Sequence, residues 1–215
     1  MPGKIPTRAT FNEDRRNEPG KPGGPRNSEQ TRSRLIQAGL RTILKSGYEA
    51  ASLDAIAAEA GFTKGAVYWH FRSKQELFLE AVAAAVRSNL ETAAALLGDP
   101  DPDRVRNRFG SWIDELEEQG ELPALAVELE IMARRDPSFR AKHEQLVAAD
   151  QGAVAKLLER YFEAVRAEPP LPLSELSAAL ITIVKGYALA RWNRPETAGR
   201  AGPVIRLLLG IPPKS

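Results

Sequence analysis

The sequence predicts an all-α protein of about nine helices, with a small three-helix unit followed by a larger helical body. From Ser28 onward apolar residues recur at spacings of three and four, and no stretch sustains the alternation typical of a strand. Clusters of Gly, Pro and Asp separate these periodic segments. Hydrophobic residues make up 43% of the 215, which is enough to bury a core.

Residues 1–27 precede the first periodic segment and are rich in Pro, Gly and charge. Such a segment buries too little apolar surface to offset its chain entropy, so we expect a disordered basic tail. Lys21 and Arg26 could touch phosphates or simply be solvated.

The first three helices carry clear start and stop signals. A helix over 28–46 begins with Ser28 as its N-cap and stops at Gly47. A second spans Leu53–Ala60 between the cap Ser52 and Gly61, which takes the left-handed turn that a Cβ disfavours.

The third helix follows the N-cap Thr63, with Phe62 and Val67 spaced as a hydrophobic staple. The fourth begins at Ser73, which forms a capping box with Glu76, and continues to Gly98.

The segment "GDPDPD" then breaks the pattern and marks a domain boundary. Asp136 and Pro137 form an N-cap followed by proline at the first helical position. We predict a three-helix domain over 28–73, a connecting helix over 74–98 and a second helical domain over 99–215. The later helices lie at about 103–119, 122–134, 137–167, 174–193 and 202–209.

Composition limits the classes of function. Residues 1–80 carry 13 Lys and Arg against 9 Asp and Glu, whereas residues 81–215 carry 17 against 19. A basic front suits an anionic partner, although solvated faces show similar charge. The lack of cysteine excludes disulfides and thiolate ligands.

The sequence shows neither a clear secretory signal nor a clear membrane-spanning segment. The first twenty residues contain no apolar stretch, so we expect no secretory signal. The run "LSAALITIVKGYALA" is broken by Lys185 and is too short to span a bilayer. We therefore expect a cytoplasmic protein that does not contact a membrane.

Two short helices joined by a glycine turn form a helix-turn-helix, whose second helix can enter the major groove of DNA. Val67 and Phe71 lie one turn apart and must face inward. The outward positions suit the sugar–phosphate backbone or the bases, and they are Lys64, Gly65, Ala66, Tyr68 and Trp69.

Each outward side chain has a chemical role to fill. The Tyr68 hydroxyl and His70 can donate to phosphates, and Lys74 sits where helix amides also favour an anion. Gly65 and Ala66 permit close approach, and Lys64 can reach guanine. The alternative is that Tyr68, Trp69 and His70 pack against the fourth helix.

The segment "SLDAIAAEAGFTKGAVYWHFRSKQELF", Ser52–Phe78, resembles the DNA-binding domain of the TetR family of transcriptional regulators, and the resemblance extends over Ser28–Val86. It implies a homodimer that binds a double-stranded DNA operator and is released by a small, largely apolar molecule, more often as a repressor. The contacts it implies at bases are Thr63, Lys64, Gly65 and Ala66. Those it implies at the sugar–phosphate backbone are Ser52, Tyr68, Trp69, His70 and Lys74, together with Thr31 and Arg32 of the first helix.

For the second domain the resemblance implies a ligand pocket and a dimer interface made by the last two helices, although the final helix is short for such a bundle. Bulky residues with a polar or polarisable group are pocket candidates or, alternatively, core: Trp112, Met132, His143 and Tyr161. The apolar surface for dimerisation, half of which could belong to the monomer core, comes from Leu176, Leu180, Ile183, Val184, Tyr187 and Trp192.

Two other classes fit the sequence poorly. An enzyme lacks support, because "HEQLV" at His143 has no second histidine for zinc, and "GSW" lies in a helix; we expect no catalytic residue, metal or cofactor. A sequence-indifferent DNA packager should be more basic than +2, and a helical interaction module leaves the phosphate-suited side chains unexplained.

Overall fold

The computed structural model describes residues 25–119, 121–194, 196 and 199–213. Residues 1–24, most of the expected tail, lie outside this range. The described residues form an all-α fold of nine helices, as the sequence predicts. These are α1 Pro25–Ala50, α2 Leu53–Ala60, α3 Lys64–His70, α4 Lys74–Leu96, α5 Pro102–Gln119, α6 Glu121–Arg135, α7 Pro137–Val165, α8 Leu173–Asn193 and α9 Ala201–Leu208.

Helix α1 differs from its prediction at its start. It begins at Pro25, so the prediction of Ser28 as the N-cap is wrong. Proline is favoured in a first turn, where its fixed φ fits and its missing N–H is not needed. Gly47 interrupts the helix as expected, with φ 79° and ψ 161°, and a short helical turn follows it.

The caps of α2 and α3 follow the sequence. Ser52 Oγ accepts from Ala55 N at 3.1 Å, and Thr63 Oγ1 accepts from Ala66 N at 3.4 Å. Between the two helices Gly61 adopts the left-handed conformation at φ 73°. The helix-turn-helix geometry is therefore set by local residues.

The capping box of α4 is only half as predicted. Ser73 Oγ accepts from Glu76 N at 3.1 Å, but the Glu76 carboxylate accepts from the amide of Arg72 at 2.8 Å rather than from that of Ser73. Glu76 therefore ties the α3–α4 turn, and not only the cap residue, to the new helix.

Three apolar clusters hold the helices together. The first joins α1 to α2, α3 and the start of α4, with Leu35, Ile56, Val67 and Phe71 at its centre. Where α1 crosses α4, a Cβ at Gly39 would lie 2.2 Å from Leu77 Cδ2, so a larger residue would force this buried side chain to move.

The second cluster packs α1 and α4 against α6 and α7, through residues such as Ile43, Phe78, Leu129 and Phe139. The third lies among α4, α5, α7, α8 and α9, around Phe109, Tyr161 and Leu176. Because the second cluster draws on α1 and α4, the front of the molecule and its body share a core.

Helix α8 is longer than its apolar run suggested. Leu173–Arg191 is long and apolar enough to cross a membrane by length and composition, so the expectation that this segment is too short is wrong. It packs on α6, α7 and α9, yet only 17% of its most apolar window is buried within the described residues. Most of its residues are thus half-buried or exposed rather than fully covered by their own chain.

Candidate nucleic-acid interface and ligand cavity

Helix α3 is held from behind and open in front. Val67 and Phe71 are fully buried against α1 and α2. On the opposite side Tyr68 is 51% exposed and Trp69 is 68% exposed, and Lys64 and Gly65 are also exposed. Large aromatic side chains on a solvent face are costly without a partner, so this face is a candidate interface.

Lys64 is paired in the free protein. Its Nζ lies 2.8 Å from Asp54 Oδ2 on α2 and 5.8 Å from the centroid of the Tyr68 ring. The hydrogen bond to Asp54 raises the pKa of Lys64, which therefore carries its charge at neutral pH. Both members of the pair are well exposed, so DNA could compete for the ammonium group.

Trp69 is 68% exposed, which argues against the alternative that it packs on α4. Its ring instead meets His70 edge-on, with centroids 4.6 Å apart. His70 is half-buried, and burial together with nearby Arg32 lowers its pKa. In the free protein its ring is therefore neutral at physiological pH, and one ring nitrogen can donate to a phosphate.

Arg32 and Lys74 are engaged elsewhere in the structure. Arg32 pairs with Glu80 and lies over the Phe71 ring at 5.1 Å. Lys74 Nζ donates to the carbonyls of Tyr48 at 2.8 Å and Glu49 at 3.3 Å, at the end of α1. A phosphate contact by Lys74 would have to use its remaining N–H or displace these bonds.

The smaller predicted contacts surround the start of α3. Ser52 and Thr63 are exposed, and each hydroxyl that accepts from a cap amide still has its own O–H to donate. Gly65 is exposed and Ala66 half-exposed, which leaves room for close approach. Thr31, on α1, is half-buried.

The helical body encloses a cavity of about 320 Å³. Its wall is mainly apolar and comes from α4 to α9, including Val86, Leu129, Leu158 and Ile205. Two of the four predicted pocket residues, Trp112 and His143, line it.

The prediction is wrong for Met132 and Tyr161, which do not line the cavity. Met132 packs on the second cluster. Tyr161 is fully buried in the third cluster, its hydroxyl donates to the Leu209 carbonyl at 3.0 Å, and burial raises its pKa to about 12. Each belongs to the core, the alternative that the sequence left open.

Of the residues predicted to form the dimer interface, some belong to the core of the single chain and others are only half-buried. Leu176 and Leu180 are buried in the third cluster, so their assignment to a dimer surface is wrong. Ile183, Val184 and Tyr187 are half-buried against that cluster, and the last two also line the cavity. The side chain of Trp192 lies outside the described residues. The most exposed apolar side chains on α8 and α9, which sequence reasoning missed, are Leu189 at 43% and Leu207 at 80%.

A polar clamp holds the short helix α9, and no local sequence signal indicates it. Buried Arg206 pairs with Asp114 on α5 at 2.8 Å and donates to the Pro212 carbonyl at 2.7 Å. Glu117 accepts from the amides of Ala201 and Gly202 at the start of α9. Because Glu117 also lines the cavity, the clamp joins the cavity wall to α9.

Comparisons with known proteins bear on the front of the molecule. The family model of bacterial regulatory proteins of the tetR family matches residues 35–81. The HTH-type transcriptional regulator SrpR of Pseudomonas putida is 48% identical over 64 residues, which are 30% of this chain and 30% of SrpR. The matched part is thus less than two thirds of that relative's length.

Other matches extend further along the chain. The HTH-type transcriptional repressor AcnR of Corynebacterium efficiens is 26% identical over 166 residues, which are 73% of this chain and 79% of AcnR. A solved structure, a transcriptional regulator of Rhodococcus sp. RHA1, superposes with a TM-score of 0.69 at 21% identity and covers 85% of this chain and 97% of that one. It shows the shared fold.

The matched residues 35–81 include the whole of α2 and α3, the two helices of the helix-turn-helix. The family match and the structure therefore identify the same part of the chain. Over residues 35–81 the chain therefore carries the helix-turn-helix of the tetR family of bacterial regulatory proteins, and the described residues share the fold of a solved transcriptional regulator.

Proposed function

We propose that this regulator binds a palindromic double-stranded DNA operator as a homodimer and is released from it by a small, largely apolar molecule. The observation that carries the proposal is the face of α3, where Tyr68, Trp69 and Lys64 are exposed over the buried support of Val67 and Phe71. A helix held in this way can enter a major groove, and two copies can read successive half-sites.

The DNA contacts divide by chemistry. The start of α3, with Thr63, Lys64, Gly65 and Ala66, meets base edges. The hydroxyl and ring groups of Ser52, Tyr68, Trp69 and His70 bind the sugar–phosphate backbone and fix the register. Thr31, Arg32 and Lys74 flank this surface and add backbone contacts.

The homodimer forms through α8 and α9. Support comes from α8, which is apolar yet has few fully buried residues, and from Leu189 and Leu207, which are exposed although apolar. An apolar helix face of this kind needs a partner in water, and a second copy of the same face is complementary by symmetry. Ile183 of α8 is half-buried and adds apolar surface to it.

Ligand control uses the cavity and α7. His143 on the cavity wall follows Lys142, whose Nζ lies 3.5 Å from Glu76 at the α3–α4 turn. A molecule that shifts α7 would therefore act on the turn that orients α3. Such a ligand must prefer the conformation whose recognition helices no longer match the half-sites.

Repression is the favoured direction of control, because a relative aligned over most of this chain, AcnR, is named a repressor. A regulator that acts on operator DNA works in the cytoplasm, which fits the cysteine-free composition.

Selection of bound duplexes from a random pool tests the proposal. We expect an enriched sequence with two inverted half-sites whose centres are one helical turn, about 10 base pairs, or a multiple apart. Recovery of all sequences with equal affinity would instead indicate sequence-indifferent binding, and a single unpaired half-site would contradict the homodimer.

A further inference from the structure

The wall of the cavity is mainly apolar and contains a few ionisable groups. Val86, Leu129, Leu146 and Leu158 are typical of the apolar part. The ionisable groups come from α5, α7 and α8, and they are Glu117, His143, Asp150, Lys185 and Arg191. The hydrogen bonds and ion pairs that these groups already make within the protein determine which charges remain available to a ligand.

Three of these groups are already satisfied by the protein. Lys185 forms a close ion pair with Glu130 of α6. The Glu117 carboxylate accepts two amides of α9 and pairs with Arg200 at 2.9 Å. Arg191 is exposed and donates to the Glu117 carbonyl at 3.0 Å.

His143 is more than nine-tenths buried and makes no hydrogen bond within the described residues. Burial lowers its pKa, and of the charges around it Glu130 and Glu144 oppose this shift while Lys185 adds to it. His143 therefore presents a neutral ring with one donor and one acceptor nitrogen.

Asp150 differs from the other wall groups. It is half-buried on the same face of α7 as His143, and in the described part of the chain it makes neither a hydrogen bond nor an ion pair. Arg87 and Lys185 are close enough to lower its pKa, yet burial outweighs both and raises it. In the described part of the chain no cation forms a direct ion pair with this carboxylate, and the wall around it is mainly apolar.

We propose that the cavity binds an apolar amine, a hydrophobic molecule whose protonated nitrogen donates to Asp150. This inference deepens the proposed ligand control and rests on it for the identity of the site. The ammonium group would supply the missing counter-charge in a partly dry environment, where a charge-assisted hydrogen bond is strongest. An anionic ligand gains less, because Asp150 repels it and Glu130 already occupies Lys185.

The shape of the cavity fits such a molecule. From Asp150 the lining residues continue along α7 through Val154 to Leu157 and Leu158, about 12 Å further at the rise of an α-helix. Phe109 and Ile205 face the same region from α5 and α9. An alkyl chain of roughly this length can lie there while its nitrogen stays at Asp150.

Calorimetric titration of the full chain with decylamine, decanol and decanoate tests the inference, since the three share a chain and differ in the head group. We expect decylamine to bind at least about tenfold more tightly than decanol, because one charge-assisted hydrogen bond contributes a factor of about ten to the affinity. Decanoate should bind most weakly. Asp150→Asn should abolish the preference for the amine. Glu144→Gln removes an equal charge from an exposed position on α7 outside the cavity and should preserve it.

Operator release, followed by fluorescence anisotropy in the same titrations, separates this inference from the proposed function. Amine binding that depends on Asp150 without operator release would leave the ligand class standing and overturn the switch. Equal binding and equal release by decylamine and decanol would leave the switch standing and overturn the ligand class. Absence of decylamine binding, or an unaltered amine preference in Asp150→Asn, also overturns the ligand class.

Discussion

Lys64 is the one long donor at the start of the recognition helix, and in the free protein it is held by Asp54. If it forms a bidentate contact with guanine, Lys64→Ala should relax the preference at one base position by about 1–3 kcal/mol. Competition binding over single-base operator variants measures this. Asp54→Asn is the matched control, because it breaks the ion pair and keeps the lysine. If both variants relax the preference equally, the ion pair between α2 and α3, rather than a base contact, is responsible.

Tyr68 presents its hydroxyl from a half-exposed ring. Tyr68→Phe removes only that hydroxyl, so a lost bond to a phosphate should weaken binding by about 1–2 kcal/mol, by a similar amount for every sequence. Anisotropy titrations at several salt concentrations with operator and random duplex measure the loss. Unchanged affinity at every salt concentration would remove Tyr68 from the contacting residues.

At the scale of the element, the turn between α2 and α3 depends on one glycine. Gly61 has φ 73°, and a Cβ there would meet only the guanidinium of Arg34, at 3.8 Å. The cost of Gly61→Ala is therefore conformational, about 1–2 kcal/mol of the free energy of unfolding. Gly152→Ala is the control, since this glycine lies inside α7 with open space around it and alanine should stabilise the helix by about 0.5–1 kcal/mol. Urea denaturation of both variants measures the two effects, and a stabilising Gly61→Ala would contradict the assigned strain.

Elements were predictable where their signals are local. Ser52, Gly61, Thr63 and Asp136 cap or turn helices through bonds to neighbours within four residues, so the sequence suffices for them. The start of α1 was mispredicted because Ser28 and Pro25 are both good helix-start residues and only the structure distinguishes them.

Whether an apolar side chain points into the core, the cavity or the solvent was less predictable, because this depends on partners distant in the sequence. Tyr161 turns to the core, where its bond to Leu209 spans 48 residues, and the pair of Asp114 with Arg206 spans 92. Periodicity shows that α7 and α8 have apolar faces, but it does not say which apolar residue lines the cavity and which packs in the core. Leu176 and Leu180 were assigned to the wrong surface for that reason.

For the whole molecule, acid should weaken the fold partly through His143. Its pKa is lowered from the ordinary 6.5 by burial, so below that pH the unfolded chain binds more protons than the folded one. Stability contributed by the neutral ring is present above pH 6.5 and is lost as pH falls through the folded pKa, by at most about 1.4 kcal/mol per pH unit for one proton. His143→Gln should flatten this decline in denaturation midpoints between pH 7 and pH 5.5. An equally steep decline in the variant would assign the effect to other groups, such as His70, whose pKa is also lowered.

If the regulator binds its operator as a dimer, a substitution that breaks the dimer should also weaken operator binding. Leu207 is a suitable position for such a substitution. Its side chain on α9 is 80% exposed in the single chain, so Leu207→Glu should leave the monomer fold intact while placing a charge in the proposed interface. An unpaired buried charge costs about 3 kcal/mol or more, which raises the dissociation constant of the dimer by at least roughly a hundredfold.

Sedimentation velocity over a range of concentrations measures the dimer, and anisotropy measures the accompanying loss of affinity for a two-half-site operator. Ile131→Glu places the same charge on an exposed apolar residue of α6, outside the proposed interface, and should change neither. If Leu207→Glu remained dimeric at concentrations near the wild-type dissociation constant, the second copy would have to bind elsewhere. The spacing between recognition helices would then be set by a surface other than α8 and α9.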